Sequence, residues 1–215
     1  MGKAAWEADI PLWFIDGNHE DHLVLQPMSD RRQDGLVKIT STLGNGKDYP
    51  VYYVPRGHTW TRDGLTFGAF GGAFSIDRAM RQRDSGQWGW FANEMPDRSR
   101  IEALGKVDIL LTHDSPIVPP GKYGQGYKED ATSRLSQDTV YDALLASEAR
   151  LVVHGHWHHY ERYRVHGAVV QALGADITGD ITKACVVIDT EARRVYTLTE
   201  WSYRQDCTEP LGEEL

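Results

Sequence analysis

At 215 residues, with 40% hydrophobic and 25% charged residues and an aromatic complement of 7 Trp, 10 Tyr and 5 Phe, the chain has the composition of one folded domain, not of a disordered segment. The balance of 23 Lys and Arg against 31 Asp and Glu, formally −8, disfavours passive binding to a polyphosphate backbone. The uncharged apolar runs over residues 10–15 and 184–188 are strand-sized, far short of the roughly 20 residues of a membrane span, and the amino end has no apolar signal core, so the expected location is cytoplasmic.

In chain order, residues 11–16 read as a buried strand that runs straight into the polar loop Gly17-Asn18-His19-Glu20. Residues 51–54 are a second short strand. Residues 58–62 and 65–70 form a hairpin on the turn Asp63-Gly64, after which Gly68, Gly71 and Gly72 mark a close approach of backbone. Ser75 is the expected cap of a short helix over 76–83. A helix over 98–104 leads to a buried strand over 107–111 that ends at Thr112-His113-Asp114. A helix over 135–149, capped by Ser136, feeds a strand over 151–153 and the loop His154-Gly155-His156-Trp157-His158-His159. Four strands follow, over 160–165, 168–173, 184–189 and 195–201, with no helix between them. The Pro- and Gly-rich stretch 115–126 is a long loop of the kind that carries function. Cys185 sits in an apolar run and forms no Cys-x-x-Cys pair with Cys207, which reads as a buried free thiol.

Three of these strands end in histidine-bearing loops, and six of the nine histidines lie there: His19, His113, His154, His156, His158 and His159. Neutral imidazole is a common metal ligand, and Gly155 lets the backbone turn so that His156 and His158 aim at one centre. Asn18 adds an amide oxygen, and such a mixed N/O set suits Mn, Fe, Zn or a similar divalent ion. Two rival chemistries fail on spacing. His19-Glu20-Asp21-His22 places its histidines at i, i+3, where a zinc-protease helix needs i, i+4; there is also no Gly-x-Ser-x-Gly elbow and no phosphate-binding loop.

Gly17-Asn18-His19-Glu20, Thr112-His113-Asp114 and Gly155-His156-Trp157-His158, in that order and each after a strand, resemble the last three signature blocks of the calcineurin-like metallophosphoesterase superfamily. Gly71-Gly72-Ala73 with Ser75-Ile76-Asp77-Arg78, residues 88–94 and residues 111–116 resemble one branch of it, so the similarity covers nearly the whole chain. The resemblance implies an α/β fold, a layered sandwich of two mixed β-sheets flanked by helices. It also implies Asn18, His113 and His156 as ligands of one metal, His158 as a ligand of a second, and His19 as the group that protonates or stabilises the leaving oxygen. Glu20 and Asp114 are then expected to orient the neighbouring imidazoles, whereas Arg78 and Arg81 read as a solvated helix face.

The family pattern opens with an Asp-x-His block and a Gly-Asp-x-x-Asp block, and neither occurs in the 215 residues. The expectation is therefore a single domain over 1–215 that lacks its first strands, with two divalent metals in the family and one here. Its activity would be hydrolysis of a phosphomonoester or phosphodiester by a metal-activated water, impaired in this chain alone. The alternative is a degenerate, non-catalytic metal-binding or scaffold protein. The expected partners are a phosphoester substrate, with nucleic acid only as substrate and no membrane, and either a second copy or a complementing N-terminal chain at the exposed strand edge.

Overall fold

Short, near-continuous Val-, Ile- and Leu-rich runs build the inner strands of the central sheet, as a strand covered on both faces requires. The computed structural model describes residues 7–28, 35–38, 50–80, 93–123, 130–175, 179–205 and 212–215. Near the amino end, β1 (Leu12–Phe14), β2 (Val37–Lys38) and β3 (Val51–Tyr53) form a three-stranded mixed sheet in the order β1-β3-β2. Helix α1 (His22–Met28) follows β1 after the residue 17–20 loop.

The central sheet has six strands: β4 (Thr59–Arg62), β5 (Leu65–Phe70), β6 (Ile109–Thr112), β7 (Leu151–His154), β8 (Glu161–Val165) and β9 (Ala168–Ala172). Their order is β4-β5-β6-β7-β9-β8, with β5, β6, β7 and β9 parallel and the two edge strands antiparallel. The β4–β5 hairpin turns on Asp63 and Gly64, both at positive φ (49° and 75°), as its sequence predicts. Helices α2 (Ile101–Leu104) and α4 (Ala131–Ser147) cover one face of this sheet, and the short α3 (Pro120–Tyr123) precedes α4. On that face Leu110, Val152 and Val170 meet Leu104, Val140, Ala143 and Leu144. Each such fully buried side chain contributes roughly 1.5–3 kcal/mol.

The opposite face carries the alternate residues Ile109, Leu151, Val153 and Val169, which pack on Val195 and Leu215. Those two belong to the layer of β10 (Val186–Asp189), β11 (Arg194–Thr197) and β12 (Glu213–Glu214), an antiparallel three-stranded sheet. The expected layered α/β sandwich of mixed sheets flanked by helices is thus present, and strand pairing among the described residues divides it into sheets of six, three and three strands. β1 is an edge strand, and its Trp13 stacks edge-on against Trp60 with ring centroids 5.4 Å apart.

Several local expectations need correction. α4 begins at Ala131, capped by Asp130, whose carboxylate accepts from the backbone of Thr132 and Ser133; Ser136 lies inside the helix, and its hydroxyl donates to Asp114 at 2.5 Å. The stretch read as a strand over 195–201 ends at Thr197 and turns into α6 (Leu198–Tyr203). Thr197 Oγ1 accepts from Glu200 N–H while the Glu200 carboxylate accepts from Thr197 N–H, a capping box that stops the strand. Helix α5 (Ile181–Ala184), capped by Asp180, separates β9 from β10. Cys185 is a free thiol but only partly buried, since it follows this helix instead of filling a strand core.

Candidate functional site

The carboxyl ends of β1, β6 and β7 deliver three loops to one place, where chemistry gathers in open parallel sheets. Backbone hydrogen bonds hold them: Gly155 N–H donates to His113 O at 3.2 Å and joins the loops after β6 and β7, and Gly72 N–H, from the glycine turn after β5, donates to Asp16 O at 2.9 Å and holds the loop after β1. Between them lies a cleft of about 620 Å³ lined by Asn18, His19, His113, His156 and His158. Glu20, Asp77, Lys122 and Trp157 also face it. The structure therefore brings the five sequence-predicted residues to one cavity.

Asn18 is buried, and its side-chain oxygen stands 3.0 Å from His113 Nε2. The His156 ring follows, its centroid 5.3 Å from that of His113 and inclined by 59°. Burial, reinforced by the neighbouring His156, pushes the His113 imidazole down to about 3, and burial also lowers His156. Both are therefore neutral at physiological pH, the state in which imidazole ligates. Asn18, His113 and His156 thus suit a divalent ion as a neutral N/O donor set. No group of three or more His, Cys, Asp or Glu is placed to hold a metal ion among the described residues, so neither a carboxylate nor His158 makes a third such ligand with His113 and His156.

Backbone conformation aims the last loop. His156 and His158 have φ of 62° and 50°, left-handed values that non-glycine residues adopt at a cost of about 1–3 kcal/mol when the surroundings impose them. The imposing group is Asp114, buried at the end of β6. It accepts from the Trp157 indole N–H at 2.9 Å, from Ser115 N–H at 2.8 Å and from the Ser136 hydroxyl, and so locks the residue between the two histidines to α4. The expected role of Asp114 as an imidazole partner is corrected accordingly, because its oxygens are taken up by Trp157, Ser115 and Ser136. Glu20 differs in the same way: its carboxylate accepts from Gly17 N–H at 2.7 Å and closes the residue 17–20 turn.

Two histidines of the loop do not reach the cleft. His154 is on the helix-facing side of β7, one strand position out of phase with Val153, and is buried with Nδ1 on Gly155 O and Nε2 on Tyr163 Oη, both at 3.0 Å. His159 turns toward Glu161, 3.3 Å away. Arg78 is half-buried and pairs with Glu94 at 3.1 Å, not solvated as expected, and Arg81 lies outside the described residues.

The sequence reading missed the supports behind the cleft. Asp16, fully buried one residue before Gly17, takes the Arg56 guanidinium on Oδ2 at 2.8 and 2.5 Å and the Tyr53 hydroxyl on Oδ1 at 3.1 Å, with His22 Nδ1 at 3.4 Å. Burial alone would raise the Asp16 carboxyl, but His22 and the Arg56 charge hold it below its usual range. Arg56 also donates to the carbonyls of Met95 at 2.5 Å and Asn93 at 2.9 Å. The detectable signal was a lone carboxylate ending an apolar strand, which demands a cation.

Gly17 is a point of close approach to a candidate ligand. A Cβ there would meet the His113 ring at 2.7–2.9 Å, so the imidazole lies flat on the glycine. We expect Gly17→Ala to push His113 away and weaken divalent-ion binding at least about tenfold, as loss of an orienting contact does. Calorimetric titration of the variant with Mn²⁺ checks this, and an unchanged affinity would contradict it.

A model of the calcineurin-like phosphoesterase family matches residues 2–160, a span that includes all three loops. No curated protein matches the chain.

Proposed function

The chain belongs to the calcineurin-like phosphoesterase family, and we propose that its cleft is a metal-dependent site for phosphoester hydrolysis. The observation that carries this reading is the meeting of Asn18 Oδ1, His113 Nε2 and the His156 ring at the mouths of three strands. Asn18, His113 and His156 would hold one divalent ion, and His158 would serve a second. Such ions supply Lewis-acid polarisation of a phosphoryl oxygen and acidification of the attacking water.

The chain's own residues perform the remaining tasks. His19, exposed at the cleft, would give a proton to the leaving oxygen. Lys122 offers a positive charge to the substrate phosphate from α3. Trp157, clamped by Asp114, keeps the two flanking histidines apart and shields the inner end of the cleft. The substrate class is a phosphomonoester or a phosphodiester small enough for this volume, and the anionic surface weighs against long nucleic acid. The partly buried free thiol of Cys185 accords with a reducing compartment such as the cytoplasm.

A neutral donor set holds an ion more weakly than one with carboxylates, and slow hydrolysis by these 215 residues is the result we expect. The Asp-x-His and Gly-Asp-x-x-Asp blocks of the family, supplied on the same chain or by a complementing segment pairing along β1, would raise it by orders of magnitude. That no group of three or more His, Cys, Asp or Glu among the described residues is placed to hold a metal ion supports a second reading, a degenerate, non-catalytic metal-binding or scaffold protein.

Hydrolysis of bis(p-nitrophenyl) phosphate and p-nitrophenyl phosphate with Mn²⁺, with and without chelator, separates the two. The enzyme reading expects turnover that the chelator abolishes and that His19→Ala lowers by about 10²–10⁴-fold at unchanged ion affinity. Ion binding with no turnover, with or without the added acidic blocks, would favour the second reading.

A further inference from the structure

Only one end of an asparagine amide can face a cation. The oxygen is an acceptor and the NH₂ group a double donor, so an amide held the wrong way round repels an ion that the right way round would bind. Which way it points is fixed by its hydrogen-bond partners.

At Asn18 those partners form a one-way chain. Glu94 is fully buried, and its carboxylate, paired with Arg78 through Oε1 at 3.1 Å, only accepts. Ser75, also fully buried, has a single hydroxyl proton. Two acceptors are within its reach, Glu94 Oε2 at 2.7 Å and Asn18 backbone O at 3.3 Å, and the shorter, charged contact takes the proton. The lone pairs of Ser75 Oγ are then left for Asn18 Nδ2, which donates to it at 2.9 Å. With the NH₂ group committed to Ser75, Oδ1 is turned toward His113 Nε2. The carbonyl of Glu94 is itself held by Ala73 N–H at 2.9 Å, and the Ser75 N–H reaches Glu94 Oε1 at 3.4 Å, so the whole relay is anchored to the glycine turn after β5.

We propose that Ser75 and Glu94 are positioning residues that set the flip of the Asn18 amide and so make Asn18 competent to serve a divalent cation. This rests on the metal-site reading above and deepens it. The relay acts on orientation, so its effect is confined to a ligand with two unlike ends. A carboxylate in place of the amide, as in Asn18→Asp, presents an oxygen either way and needs no relay.

The test uses the metal-free chain with ¹⁵N-labelled asparagine, followed by calorimetric titration with Mn²⁺. The expected result is slow solvent exchange of the Asn18 side-chain amide protons in the unmodified chain and fast exchange in Ser75→Ala and Glu94→Gln. Mn²⁺ affinity should fall about 10–100-fold in both variants. In an Asn18→Asp background, Ser75→Ala should leave affinity within about twofold, a split that a merely structural role would not produce. Thermal unfolding verifies that each variant folds, and Glu94→Gln carries the test should Ser75→Ala fail to. Exchange as fast as that of an exposed amide in the unmodified chain, unchanged affinity in both variants, or an equal loss in the Asn18→Asp background would overturn the proposal. Absence of Mn²⁺ binding by the unmodified chain would instead sink the metal-site reading, and the exchange rates would still decide whether the relay exists.

Discussion

Arg56→Ala is expected to destabilise the fold by about 3–5 kcal/mol, because it leaves the Asp16 carboxylate buried without its cation. That is a large share of the roughly 5–15 kcal/mol available to a domain of ordinary stability. The damage extends beyond the ion pair: the carbonyls of Asn93 and Met95 lose their donor, and the segment that carries Glu94 loosens from Gly72. Asp16→Asn should be milder, since an amide oxygen still accepts from Arg56 and Tyr53. Urea denaturation measures both. A midpoint for Arg56→Ala equivalent to less than about 1 kcal/mol of loss would mean that solvent reaches Asp16 and that the network is not a support.

The second large effect concerns the ion. Asn18→Ala, His113→Ala and His156→Ala should each lower Mn²⁺ affinity by more than the roughly 10–100-fold that loss of a mere orienting partner produces, since each removes a donor outright. His158→Ala should do less, because among the described residues His158 does not make a third ligand with His113 and His156. His166→Ala, exposed on the β8–β9 turn, is the control and should leave binding intact. His22 would be a poor control despite lying outside the loops, because it is fully buried against Asp16. Titration calorimetry reads all five. Equal losses in His166→Ala, or none in the three donors, would move the ion elsewhere.

What the sequence made legible follows from range. The three loops could be read because each begins where a short apolar run ends; the loops after β6 and β7 meet as neighbouring strand ends of one parallel sheet, whereas the loop after β1 comes from a separate sheet and joins them through tertiary packing. The Asp63-Gly64 turn could be read because its two positive φ values are a local demand. His154 could not be assigned from crowding. It shares a loop with His156 and His158, but strand alternation sends it to the helix face with Tyr163, while two left-handed residues redirect the others. Asp16 with Arg56, and Ser75 with Glu94, pair over 40 and 19 residues, distances at which no periodicity connects them. The end of β11 was misread for a different reason. Thr197-Leu198-Thr199-Glu200 carries a capping box, whose local signal outweighs the aromatic and β-branched content that suggested a strand.

If one divalent ion binds between the loops after β1, β6 and β7, anomalous diffraction from crystals grown with Mn²⁺ will show a single strong peak within coordination distance of Asn18 Oδ1, His113 Nε2 and the His156 ring, with His158 nearby. A peak at any other group of side chains, or an empty cleft at saturating Mn²⁺, would contradict it.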